Sequence, residues 1–154
     1  MGKEIERKFL VEGDEWRGES KGTRIRQGYL VTELERSVRV RVRGETGTLT
    51  VKGESRGAVR AEYEYAIPKD DAEAMIDDLC LRPLIEKTRH VVAHGGQVWE
   101  IDVFEGDNAG LVVAELELDD EDESFERPPW LGDEVTDDPR YYNANLVENP
   151  FRTW

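Results

Sequence analysis

Glu4-Ile5-Glu6-Arg7-Lys8-Phe9-Leu10-Val11 is the stretch whose reading decides the fold. Extended chain sends successive side chains to opposite faces, so Glu4, Glu6 and Lys8 form one row while Ile5, Phe9 and Val11 form the other. Neighbours in such a row stand roughly 6.5–7 Å apart. That spacing lets two carboxylates give oxygens to one hard divalent cation, or to two adjacent ones, with the lysine holding an anion that the metal also touches. The other reading of this strand alone is a solvated outer face carrying mixed charge.

The rest of the chain repeats the pattern. Short alternating segments run over Thr23–Thr32, with Gly28 as a bend or bulge, and over Ser37–Arg43, Thr48–Lys52 and Val59–Ile67. Further segments follow at Leu84–Val92, Gln97–Phe104 and Leu111–Leu118. Turn signals separate them: Gly44-Glu45-Thr46-Gly47, the Gly53–Gly57 connection, Gly95-Gly96, and a loop with Gly106 and Gly110. Between them, Lys69–Leu81 places Ala72, Met75, Ile76, Leu79 and Cys80 at helical spacing, with Asp70 and Asp71 at its start and Pro83 beyond its end. One amphipathic helix packed on a sheet is expected there. Eight consecutive strands on short turns predict an antiparallel barrel or sandwich.

The polar rows are unusual in sign. Arg39, Arg41 and Arg43 share one face, as do Lys87 and Arg89, Glu100 and Asp102, Glu115 and Glu117; Lys52 stands on its own strand, and Arg60 precedes Glu62 and Glu64. Like charges along a strand repel unless something opposite compensates them. Neutral polar residues are scarce on these faces. The economical arrangement is a closed barrel with the charged side inward, neutralised across a wet, ligand-filled lumen, because dry unpaired charges would be prohibitive. The apolar sides then face outward, covered by the helix and the tail.

Composition sets limits. The 154 residues suit one domain, 1–154. The net charge of −14 is uneven: residues 1–118 carry 24 acids and 18 bases, residues 119–154 carry 11 acids and 3 bases. The acidic tail therefore holds more than half of the excess, and its interleaved Phe125, Trp130, Tyr141, Tyr142, Leu146 and Val147 indicate packing on the barrel. Strong acidity argues against nonspecific nucleic-acid binding. No apolar run approaches a membrane span and the start lacks a signal-peptide pattern, so a cytoplasmic protein with no membrane partner is expected. The single Cys80 excludes an internal disulfide framework and reads as a small buried hydrophobe. His90 and His94, without a Cys or His cluster, read as surface residues, and Trp16 and the tail tryptophans as packing residues.

Six spaced motifs carry a resemblance: Glu4-x-Glu6-x-Lys8, Arg39-x-Arg41, Thr50-Val51-Lys52, Glu62-x-Glu64, Glu86-Lys87-Thr88-Arg89 and Glu115-Leu116-Glu117. In this order the chain resembles the CYTH family of triphosphate tunnel metalloenzymes, and Pro128-Pro129-Trp130-Leu131-Gly132 is similar to the small bacterial members. The resemblance implies a mainly β fold, an eight-stranded antiparallel barrel tunnel with a charged interior and a few packed helices. It implies Mg2+ or Mn2+ held by Glu4, Glu6, Asp102, Glu115 and Glu117, and phosphate ligands Lys8, Arg39, Arg41, Lys52, Lys87 and Arg89. Glu62 and Glu64 match the family's acidic strand, as holders of metal or water or as partners of a neighbouring base. Tyr29, in Arg26-Gln27-Gly28-Tyr29-Leu30, pairs with Lys8 as a catalytic dyad or fills space as a strand aromatic. Arg43 and Arg60 are ligands, solvent-facing or ion-paired.

Metal-dependent hydrolysis of inorganic triphosphate to diphosphate and phosphate is the expected reaction. Thiamine triphosphatase or class IV adenylyl cyclase-like activity, a noncatalytic polyphosphate or nucleotide-triphosphate binding module, and a β-sandwich that binds a protein are the other readings. The expected partner is a small triphosphate, and the expected state a monomer or homodimer.

Overall fold

The computed structural model describes residues 2–154, without the side chain of Glu19. The strands are β1 (Lys3–Val11), β2 (Thr23–Thr32), β3 (Arg36–Arg43), β4 (Thr46–Gly53), β5 (Val59–Ile67), β6 (Ile85–His94), β7 (Gln97–Phe104), β8 (Val112–Glu117) and β9 (Leu131–Glu134). Two α-helices, α1 (Lys69–Asp78) and α2 (Asn143–Glu148), accompany them, with short 3-10 turns at Glu15–Glu19, Gly106–Asn108, Pro139–Tyr141 and Phe151–Thr153. Strand order is β5-β4-β3-β2-β6-β7-β8-β1-β9, and a further β5–β1 pairing closes β1–β8 into an antiparallel barrel.

The closing seam is narrow. Among the described residues β1 pairs with β5 through Lys3, Glu4 and Ile5, and the same edge is then taken over by β9 at Phe9 and Val11. The other edge of β1 pairs β8 from Glu6 to Leu10. The tail thus contributes a strand that alternation did not announce. Leu131-Gly132-Asp133-Glu134 has no clear apolar period; the free edge of β1 recruits it, and Gly132 lies so near that a Cβ there would stand 3.0 Å from the Leu10 carbonyl oxygen.

The barrel is inverted relative to an ordinary core. Phe9, Trp99, Ile101, Ala114 and Leu116 point outward and are buried under Trp16, Trp130 and Leu131, in edge-to-face aromatic contacts such as Trp99–Trp130 at 5.5 Å. Strand β3 turns Val40 outward beneath Ala72 and Ile76 of α1, with Cys80 half-buried beside them. His90 is half-buried as well, its ring 5.1 Å from that of Trp16, so packing rather than exposure describes it. Burying these outer faces under α1 and the tail is what frees the lumen to be polar.

At one end the lumen changes character. Ile85, Phe104 and Val113 share the inward parity of Lys87, Asp102 and Glu115, and they cluster with Tyr29, Leu111, Val135, Tyr141, Leu146 and Val147. Helix α2 and its preceding turn form an apolar plug there. The charged chamber lies directly above it.

Candidate active site

The chamber has a volume of about 270 Å³. Its wall includes Glu4, Glu6 and Lys8 of β1, Tyr29 of β2, Arg39 and Arg41 of β3, Lys52 of β4, Glu62 and Glu64 of β5, Lys87 and Arg89 of β6, and Glu115 and Glu117 of β8. Of the residues expected in the site, Asp102 alone is outside this lining. Glu100, Arg43, Arg60 and the tail segment Tyr142–Asn145 join it.

Cross-strand register explains the convergence. Lys8 lies opposite Glu115, Glu6 opposite Glu117, and Glu115 opposite Glu100. Arg89 faces Asp102 across β6 and β7, and Lys52 faces Glu62 across β4 and β5. Closure of the barrel then brings both ends of this series together at β1.

The inner end is a saturated ion-pair network. Arg89 donates through Nε and Nη2 to the two Asp102 oxygens at 2.8 and 2.9 Å, and through Nη2 to Glu115 at 3.1 Å. Lys87 Nζ lies 2.7 Å from Asp102, and Lys8 Nζ 3.4 Å from Glu115. Burial would raise the Asp102 carboxyl, but Lys87 and Arg89 overcome it and hold the group down at about 2. Burial opposes ionisation of Glu115 too, yet Lys8, Arg89 and Lys87 keep it well below the usual carboxylate range. Lys8 is lowered by burial and raised by Glu115 and Glu6, with a net rise. Burial wins at Lys87, which falls to about 7 despite Asp102. Asp102 is therefore committed to the protein's own cations. The metal-ligand expectation meets a group with both oxygens already engaged, because alternation specifies a residue's face but not its depth.

The remainder is unsaturated. Burial raises Glu6 well above its ordinary value, with Glu115 and Glu4 adding to the effect. Burial also raises Glu4 in spite of Lys52, whose Nζ donates to it at 3.0 Å, and raises Glu117, with Glu4 and Glu100 contributing. Carboxylates opposite one another in a sheet are destabilising without a cation between them. On the other wall, burial together with Arg39 and Arg89 lowers Arg41 to about 9. Arg41 donates to Gln27 Oε1 at 2.8 Å and meets no carboxylate at ion-pair distance among the described residues. Arg39, 8% exposed, reaches Thr50 Oγ1 at 3.1 Å and Glu64 at 3.5 Å, but its Nε is buried with no partner among the described residues.

The remaining expected residues have defined places. Glu62 lies 3.4 Å from Lys52 and Glu64 accepts from Thr50 Oγ1 at 3.1 Å, so both brace neighbouring cations. Tyr29 and Lys8 share the chamber without a hydrogen bond between them among the described residues; Lys8 Nζ donates to the Tyr141 carbonyl at 3.3 Å instead. Arg60 donates to the Gly53 carbonyl at 3.0 and 3.2 Å, a backbone clamp in place of solvent or an ion pair. Glu100, 3.3 Å from Arg89, was visible as an acidic position beside Asp102. Asn143 carried no such signal.

Hard oxygen donors fit a hard divalent metal, and the crowded Glu4, Glu6 and Glu117, together with Glu115, which also pairs with Lys8 and Arg89, are the residues that would hold it. Among the described residues no three of them converge as a complete ligand set, so water and phosphate oxygens would supply the balance.

The chain is similar to several known proteins. The chain is 51% identical over 154 residues to an inorganic triphosphatase of Acetivibrio thermocellus, covering 100% of this chain and 99% of the relative. It is 40% identical over 148 residues to an inorganic triphosphatase of Nitrosomonas europaea, covering 94% and 96%. The crystal structure of the inorganic triphosphatase NE1496 superposes with a TM-score of 0.67 at 38% identity, over 94% of this chain and 93% of that one. The PH1012 protein of Pyrococcus horikoshii shares the fold alone, with a TM-score of 0.55 at 16% identity over 77% and 80% of the two chains. The CYTH domain model matches residues 2–143, and the chain belongs to the CYTH domain family.

Proposed function

We propose that this protein hydrolyses inorganic triphosphate to diphosphate and phosphate inside the barrel, with Mg2+ or Mn2+. The observation that carries this reading is the double deficit in one chamber: among the described residues Arg39 Nε and Arg41 lack anions, while Glu6 and Glu117 lack cations and Glu4 has Lys52 alone. A triphosphate–metal complex supplies both. The chamber wall is mostly charged side chains, which suits the bare polyanion better than the ring of a nucleotide or a thiamine ester.

Attack of water on a terminal phosphorus is resisted by the substrate's negative charge, and the P–O bond to the diphosphate must break as the new one forms. Arg39 and Arg41 offset that charge with guanidinium donors, which bind phosphate oxygens in pairs. Lys8, Lys52 and Arg89 add fixed positive charge, Lys87 adds it when protonated, and their carboxylate partners hold them in place, so little reorganisation is left to the reaction. Glu62 and Glu64 position Lys52 and Arg39. Tyr29 and Lys8, which both line the chamber, are the candidates to act on the attacking water or the leaving group. A bound divalent cation supplies Lewis-acid neutralisation of phosphate oxygens. No helix among the described residues is long and apolar enough to cross a membrane; a cytoplasmic setting is part of the same proposal.

The test is phosphate release from triphosphate, ATP and thiamine triphosphate, each with Mg2+, with Mn2+ and without divalent metal. Strong metal-dependent release from triphosphate is expected, abolished by Glu4→Gln and by Arg39→Ala. Turnover of ATP or thiamine triphosphate alone would replace the substrate, and release from none of them would leave a binding module.

A further inference from the structure

Asn143, at the start of α2, is the point where the apolar plug meets the charged chamber. Its Oδ1 accepts from Lys87 Nζ at 2.9 Å and from Gln27 Nε2 at 3.2 Å. Gln27 is fully buried, and its own oxygen accepts from Arg41 Nε at 2.8 Å. The orientation of both amides follows from chemistry. Arginine and lysine only donate. The Gln27 oxygen must therefore face Arg41, which turns its amino group toward Asn143, and Asn143 must then present oxygen, as Lys87 also requires. One carbonyl oxygen from the tail thus governs two chamber cations, Lys87 directly and Arg41 through one amide.

Lys87 has three N–H bonds. Asp102 takes one at 2.7 Å and Asn143 a second. The third is left for the chamber that Lys87 lines. With Asn143 removed, the ammonium has Asp102 alone to orient it, and Gln27 loses the acceptor that keeps its oxygen on Arg41. Anchoring of the tail does not depend on this residue, because Leu146, Val147 and Tyr141 are buried in the plug and Thr32 Oγ1 donates to Glu148 at 2.8 Å.

We infer that Asn143 is a positioning residue for triphosphate, aiming the remaining N–H of Lys87 and fixing the plane of the Arg41 guanidinium. The inference rests on the triphosphatase reading above.

The experiment compares the full-length wild type with Asn143→Leu, alone and combined with Lys87→Met, in thermal melts, in kcat and KM for triphosphate, and in triphosphate affinity by calorimetry without divalent metal. Asn143→Leu is expected to stay folded, to weaken triphosphate binding about tenfold and to lower kcat/KM by up to about 100-fold, the scale of a 1 Å misplacement. In the Lys87→Met background the same change should cost several-fold less than in the wild type, the remainder being the part that runs through Gln27 to Arg41. Asn143→Ala, which withdraws the acceptor without apolar bulk, is expected to shift binding in the same direction and stands in if the leucine variant fails to fold. A folded Asn143 variant with unchanged kcat, KM and affinity overturns the inference. So does an equal cost with and without Lys87. A wild type that neither binds nor cleaves triphosphate would overturn the functional reading and this inference together, whereas a null effect of Asn143 variants in an active enzyme removes this inference alone.

Discussion

The inner end of the chamber and its acidic wall are built from the same residue types on the same strands, yet their charges behave in opposite ways. Around Asp102, every cation has an anion and carboxylates are held at or below their ordinary range. Around Glu6, two residues from Lys8 along β1, carboxylates crowd one another and are pushed upward. Self-neutralised charge is scaffold. Charge left in deficit marks where something from solution must complete the balance, and the distinction is carried by cross-strand register: Lys8 lies opposite Glu115, but Glu6 lies opposite Glu117.

That contrast breaks most sharply at Glu6. Glu6→Gln is expected to remove at least about 100-fold of metal-supported phosphate release, on the scale of losing one preorganised charge-stabilising group. The thermal midpoint should hold or rise, because a repelled carboxylate has been neutralised. A folded, fully active variant would show that the deficit has no chemical purpose.

Asp102→Asn tests the other side. Leaving Arg89 and Lys87 short of their shared anion should cost about 3–5 kcal/mol in urea unfolding. A change below about 1 kcal/mol would mean that the inner network is not the scaffold described. Arg41→Met should instead weaken triphosphate binding by roughly 1.5–3 kcal/mol, the worth of a charged hydrogen bond, with little loss of stability. Equal damage to both would dissolve the distinction between the two walls.

The pH dependence of stability sharpens the comparison, with smaller effects of opposite sign. Asp102 and Glu115 have depressed folded-state values, so their contribution is complete above the ordinary carboxylate range and is lost as pH falls toward about 2. Glu4, Glu6 and Glu117 have raised values. The folded chain keeps their protons after the unfolded chain has released them, so metal-free stability should fall as pH rises from the ordinary 4.5 through the raised values. Denaturant midpoints measured across this range, with and without Mg2+, check it, and added Mg2+ should flatten the upper branch because it binds only the folded chamber.

Much of this was legible in the sequence because charge at period two is a loud signal. The Glu4-Glu6-Lys8 row and the Arg39-Arg41 row specified both the inward face and the closed barrel, and α1 was visible from Ala72, Met75 and Ile76. Depth along the barrel was not legible. Asp102 and Glu100 sit on the same face of β7, and only packing shows that the first is enclosed by Arg89 and Lys87 while the second lines the chamber. Asn143 was silent for a different reason. It is a neutral side chain in an acidic tail, and its meaning arises only when residues 27, 87 and 143 come together.

The shared edge of β1 has a consequence for how the molecule comes into being. The strand that carries the first carboxylates finds its neighbours late: Lys8 waits for Glu115, and Phe9 for Glu134. Strand β1 is made well before β8 and β9, so until they follow its second half has no partner beyond the short pairing with β5, and Phe9 and Val11 are exposed to aggregation until distant pairing is achieved. Repelling acids on the same ribbon act in that interval as a guard against premature mating with other nascent chains.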